Sequence, residues 1–187
     1  TLSLHDALPI CEERSHRPTR ATVLSNMACL YLDRDEFEKA RTFFHQSRQC
    51  WQEEGDSRGV VFEDLFLALL EERLGNDELA YQQYLPCLEQ LHLLDDLNGI
   101  AWGLAFLTYV QVKRGKYLFA AKLTGALAGL RERLGIQANS TQLKAETESH
   151  DKMLGAMGEG AFQAALNTGR EWDVTQTIRY LRSEEGV

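Results

Sequence analysis

Apolar residues recur at helical spacing in three successive stretches, roughly 19–58, 59–98 and 99–138. In the first, Leu24, Met27, Ala28 and Tyr31 stand at i, i+3, i+4 and i+7, the stripe of a helix face that must be buried. A polar turn, Asp33-Arg34-Asp35, separates it from a second helix carrying Phe37, Ala40, Phe44 and Ser47. The second stretch repeats the pattern with Leu67 and Ala68, a turn at Gly75-Asn76-Asp77, then Leu79, Ala80, Tyr84 and Cys87. The third has Leu104, Leu107 and Thr108, a turn at Arg114-Gly115, then Tyr117, Ala120, Thr124 and Leu127. Gly59 returns as Gly99, Gly75 as Gly115, and Ala40 as Ala80 and Ala120, each after 40 residues. Gly55 returns as Gly135, with Asp95 in the middle place. A period of this size predicts an all-α array of stacked helical hairpins, a scaffold that presents an extended binding surface. The alanines mark where the two helices of a hairpin approach closely, and Gly75 and Gly115 suit the left-handed conformation that ends a helix.

Ala28, Tyr31, Asp35, Phe37, Ala40, Phe44 and Ser47 together resemble the tetratricopeptide repeat, with Asp35 in place of the turn glycine. The later copies are more degenerate: Glu71 and Gln111 replace the aromatic of the first helix, and Thr124 replaces that of the second. The resemblance covers about 120 residues. It implies a right-handed superhelix of antiparallel helix pairs, an α-solenoid, whose concave face is lined by the first helix of each pair. That face would carry Phe62, Leu65, Leu69 and Glu72 in the second copy. Trp102, Ala105, Tyr109 and Val112 would line it in the third, and Thr22, Ser25, Cys29 and Leu32 in the first.

A narrower similarity joins the 40-residue period, the run Gly55-Asp56-Ser57-Arg58-Gly59, and the tail from Ala120 to Ile178. Within that tail stand Ala120-Ala121-Lys122-Leu123-Thr124-Gly125-Ala126, Leu130-Arg131-Glu132-Arg133-Leu134-Gly135, Gly160-Ala161-Phe162 and Gly169-Arg170. This resembles the C-terminal helical sensor region of bacterial signalling ATPases and LuxR-type transcription regulators, although no ATPase or DNA-binding segment stands here. It implies an interaction and sensor module that does no chemistry. The alternative is a structural module through which a larger protein self-associates.

Beyond the third copy, Ile136-Gln137-Ala138-Asn139-Ser140 breaks the pattern. Helices are expected at about 141–157, 161–167 and 174–182, the last behind the N-cap Asp173, with Lys144, Glu146, Glu148 and Asp151 supplying the polar outer face of a cap over 139–187. Pro86 falls inside a helix, where it removes a backbone hydrogen bond and crowds the carbonyl of Gln82, so a kink or an early end is expected. Residues 1–10 (TLSLHDALPI) resemble the translation of a sequencing adapter; they are expected to be no part of the fold, and the reading frame to begin mid-gene.

No apolar run approaches the roughly 20 residues that span a bilayer, so no membrane partner is expected. A net charge of −8 argues against a nucleic-acid surface, and Arg14, Arg17 and Arg20 do not make a basic face. The cysteines at 11, 29, 50 and 87 lack metal or redox spacing and read as thiols of a reducing cytoplasm.

Catalytic patterns are equally sparse. Gly55-Asp56-Ser57-Arg58-Gly59 has the letters of a Gly-x-Ser-x-Gly elbow, but a helix precedes it where that motif needs a strand. His92, Asp95 and Asp96 read as capping and turn residues, and Glu53-Glu54 and Glu71-Glu72 as solvated helix faces. The chain is therefore expected to be no enzyme and to take no metal or cofactor. What remains is the apolar and aromatic stripe Phe62, Leu65, Leu69, Trp102 and Tyr109, either an open surface for a protein, a peptide or a small apolar inducer, or ordinary covered core.

Overall fold

The computed structural model describes residues 17–138 and 140–183, with side chains described from 20 to 138 and from 146 to 183. The expectations for residues 1–10 and Cys11, and for the side chain of Lys144, lie outside the described residues. Every regular element among the described residues is an α-helix. Six of them are α1 (Arg17–Asp33), α2 (Phe37–Glu54), α3 (Ser57–Arg73), α4 (Asp77–Leu93), α5 (Leu97–Lys113) and α6 (Tyr117–Leu134). Then come α7 (Ser140–Met157), α8 (Glu159–Arg170) and α9 (Val174–Ser183). The first six begin at intervals of 20 residues, at 17, 37, 57, 77, 97 and 117.

The same turn closes each of these six helices. Asp35, Gly55, Gly75, Asp95, Gly115 and Gly135 all have φ between 53° and 84°. Around each, two backbone bonds repeat: Asp35 N–H donates to Leu32 C=O while Glu36 N–H donates to Tyr31 C=O, and the pairs at 55–56, 75–76, 95–96, 115–116 and 135–136 do likewise. This is the Schellman arrangement, in which the left-handed residue lets two otherwise orphaned carbonyls of the last turn find donors. Glycine enters that region freely, and aspartate is among the few other residues that tolerate it, which accounts for the aspartates at 35 and 95.

Two compact units divide at Gln83/Tyr84, within α4. In the first, α1 and α2 form a hairpin and α3 packs on α2. Ala28, Leu32, Ala40, Phe44 and Leu70 make its core, flanked by a smaller cluster of Ala21, Leu24 and Cys50 beside Trp51. Gly59 lies beneath the Trp51 indole, so near that any Cβ would enter the ring. Cys29 is a free thiol, pushed up to about 11 by burial and by the carboxylates of Glu63 and Asp33, and therefore a poor nucleophile.

Glu71 and Glu72 correct the expectation of a solvated pair, for both are buried. Glu71 accepts from Arg41 Nη1 at 2.7 Å and from Asn76 Nδ2 at 2.8 Å. Burial alone would raise its carboxyl, but those two donors outweigh burial and hold it below the usual range. Glu53 and Glu54 are exposed, as expected.

In the second unit α6 is the hub, packed by α5, α7, α8 and α9. Ala120 and Ala121 sit with Val112, Met153, Phe162 and Ala165 in one cluster, and Ala40, Ala80 and Ala120 are all fully buried, as their recurrence predicts. Gly99 repeats the part of Gly59: a Cβ there would stand 2.6 Å from Leu91 Cδ2, and Leu91 is the 40-residue counterpart of Trp51. Helix α4 continues through Pro86 rather than ending early. Both Pro86 and Gln82 are exposed, so water can reach the carbonyl that loses its partner.

The C-terminal helices fall close to their expected bounds. Asp173 caps α9 by accepting from Gln176 N–H at 2.7 Å, while Gln176 Oε1 accepts from Asp173 N–H at 2.9 Å, a reciprocal capping box. Glu148 and Asp151 face solvent, and Glu146 pairs with Arg131 of α6 at 2.8 Å. Helices α6 and α8 meet backbone to backbone. A Cβ on Gly169 would overlap the Lys122 carbonyl oxygen, and one on Gly125 the Leu166 carbonyl oxygen. Because the obstacle is main chain, no rotamer change relieves it. Gly169→Ala is expected to cost about 3 kcal/mol or more in denaturant unfolding, at the upper end of overpacking effects.

Candidate interaction surface

Helix α5 is set by its N-cap, Asp96, whose side chain accepts from Gly99 N–H at 3.0 Å. One side of the helix is core: Ile100, Leu104, Leu107 and Val110 are buried. The other carries Trp102, Phe106 and Tyr109 at i, i+4 and i+7, which a period of 3.6 residues aligns in one strip. Trp102 is 39% exposed, and Phe106 and Tyr109 are half-buried. Their rings are organised from below. Fully buried Tyr84 of α4 stacks on Phe106 at 5.9 Å, and Trp102 meets Phe106 edge-on at 5.9 Å. Lys113 closes the strip with its ammonium 5.9 Å from the Tyr109 ring centre.

An equivalent strip lies on α3 in the first unit. Phe62, Phe66 and Leu69 are half-buried, and Phe44 of α2 stacks on Phe66 at 5.5 Å. Arg58 lies over the Phe62 ring at 5.9 Å. Phe44 and Tyr84 are 40-residue counterparts, as are Phe66 and Phe106, so one ring pair is built twice.

Of the residues expected on an open face, Phe62, Leu69, Trp102 and Tyr109 keep some exposure. Leu65 does not: at 1% exposed it packs the interior and is unavailable to a partner. The expected fourth line of the stripe is also core, since Leu32, Glu72 and Val112 are all buried. Ten residues along a helix rotate the side chain well off the starting line, whereas four residues bring it back close. Phe66 and Phe106 are therefore the residues missed, and i+4 spacing from Phe62 and Trp102 is the signal that finds them.

The C-terminal helix packs on α6. Tyr180 of α9 packs on Phe119 at 4.9 Å, and Lys122 lies 4.8 Å above the Tyr180 ring. Arg182 donates to Glu89 of α4 at 2.6 Å, and Tyr180 also meets Trp172 at 4.5 Å.

The remaining candidates have structural employment. Asp56 caps α3 by accepting from Gly59 N–H at 2.9 Å, and Ser57 opens that helix directly after α2 and its turn, so the elbow lettering sits between two helices. Asp96 is a cap and Asp95 a turn residue, while His92 Nε2 lies 3.4 Å from Thr175 Oγ1. Among the described residues no group of three or more His, Cys, Asp and Glu side chains is gathered to hold a metal, and no helix is long and apolar enough to cross a membrane. No protein-family model matches the chain, and no curated protein matches it.

A part-exposed tryptophan lying on another ring contributes little to the core. Trp102→Ala is expected to lower stability by about 1 kcal/mol, against the 3–5 kcal/mol of a fully buried tryptophan. Denaturant unfolding reads the difference, and a loss in the upper range would show that the side chain is core.

Proposed function

We propose that this chain is a non-catalytic interaction and sensor module. In this reading it is a tetratricopeptide-like right-handed superhelix, the C-terminal part of a bacterial signalling ATPase or LuxR-type regulator. The observation that carries the functional reading is the Trp102–Phe106–Tyr109 strip, ordered by Tyr84 beneath it and left partly open. Preorganised aromatic side chains at low entropic cost are what binding hot spots are made of. The helical starts at 20-residue intervals, the repeated Schellman turns and the buried alanines support the repeat assignment.

The partner that suits this strip is an amphipathic helix of another protein. Apolar anchors at i, i+3 or i+4 and i+7 would seat against Trp102 and Tyr109, and an acidic residue at one end would meet Lys113. The net charge of −8 disfavours a nucleic-acid partner.

A displayed library of amphipathic helical peptides, selected on the chain and counter-screened on Trp102→Ala, tests the reading. Binders are expected to weaken tenfold or more in the variant, the loss of one anchor worth about 1.4 kcal/mol. A selection whose binders are all indifferent to Trp102 would refute it. Sedimentation across a concentration series is expected to give a monomer mass. A dimer abolished by Trp102→Ala would transfer the strip to self-association instead.

A further inference from the structure

Glu63 is the most deeply buried acid of the first unit, 2% exposed where α1, α2 and α3 meet. Its Oε1 lies 2.8 Å from Ser47 Oγ, and that same Oγ lies 2.8 Å from the Ala21 carbonyl oxygen of α1. Ser47 has one hydroxyl proton and faces two acceptors. If it donates to Ala21, the Ser47–Glu63 contact is a hydrogen bond only when the carboxyl supplies its own proton. The second oxygen, Oε2, is buried with no hydrogen-bond partner, a poor setting for a carboxylate and a tolerable one for a neutral acid.

The surrounding charges point the same way. On its own helix Asp64 raises the carboxyl further by repulsion, and Arg48 of α2 is engaged by Asp64 at 2.6 Å. From α1 the titratable neighbour is Cys29, whose thiol is itself raised by Glu63. The groups that α1 and α2 turn toward the carboxyl, Ser25, Ser47 and Trp51, are neutral. Burial raises Glu63 from 4.5 to about 7, outweighing the nearby polar groups of Ser47, Ser25 and Trp51, which favour the ionised form.

We propose that Glu63 is a proton-operated latch. Neutral, it donates to Ser47, which is then free to donate to Ala21, so that one relay ties α3 through α2 to α1. On ionisation the carboxyl proton leaves to solvent, Ser47 turns its only proton to the carboxylate, and the Ala21 carbonyl loses its tie to α2. Helix α1 is the element released. Because the folded-state value lies above the unfolded one, the stabilisation is complete below about 4.5 and is lost as pH rises through about 7.

The test uses the full chain and needs no ligand. Carboxyl carbon NMR, with the Glu63 signal assigned from Glu63→Gln, is expected to show a midpoint near 7. The glutamine mimics the neutral acid, so the variant and the parent should unfold alike at about pH 4, below the unfolded value of 4.5. At about pH 8 the parent's unfolding constant should exceed the variant's by about a hundredfold. Amide exchange in α1 should be faster in the parent than in the variant at the higher pH only. A Glu63 midpoint near 4.5, the same pH dependence in both proteins, or α1 exchange unaffected by the substitution would each overturn the latch. Should Glu63→Gln not fold, the parent's carboxyl titration decides alone, since the other carboxyl signals can be assigned by sequential connectivity.

Discussion

The structure depends on a backbone constraint imposed every 20 residues: one residue must turn left-handed so that a helix can end with its carbonyls satisfied and the chain can reverse. Asp35, Gly55, Gly75, Asp95, Gly115 and Gly135 meet it with the same pair of hydrogen bonds. Helix length follows from it, because 17 or 18 residues are what fit between successive reversals. So does the placing of side chains. With every helix started in the same register, Phe44 and Tyr84 arrive under Phe66 and Phe106, and Trp51 and Leu91 arrive over Gly59 and Gly99.

Close approach is the second constraint, and it is met by removing side chains. Ala40, Ala80 and Ala120 are fully buried, and the α6–α8 crossing goes further, with Gly125, Gly129 and Gly169 each facing main chain of the other helix. Beyond Gly135 the 20-residue rhythm lapses: α7 starts at 140, and Gly158 has φ 77° with an extended ψ of 155°, a different turn. The crossing replaces the rhythm there, anchoring the C-terminal helices through contact rather than through repetition. Helix α9 then sets Tyr180 against Phe119 and Lys122 of α6.

What was legible in the sequence was whatever repeats or is local. The 40-residue recurrence located the helices, the buried alanines and the left-handed Gly75 and Gly115, and Asp173 announced its own cap. What depends on a distant partner was not legible. Glu71 reads as a surface acid until Arg41, thirty positions earlier, is found bonded to it. Leu65, at i+3 from Phe62, turns to the buried side, and Phe106 was missed because the groove spacing used i+3 and i+7 and skipped i+4. Glu63 carries no sequence signal at all, since its character comes from Ser47 and Ala21 on two other helices.

The most direct test of the turn constraint is the sign of one substitution. Asp95 has φ 53° and is exposed. Glycine at an ordinary backbone position loses stability by about 1 kcal/mol through chain entropy, but at a left-handed one it relieves strain of about 1–2 kcal/mol. Denaturant unfolding of Asp95→Gly is predicted to show a net gain of about 0.5–1 kcal/mol. A loss of about 1 kcal/mol would contradict the account, because it would mean that Asp95 does not stand in the left-handed conformation on which the reversals rest.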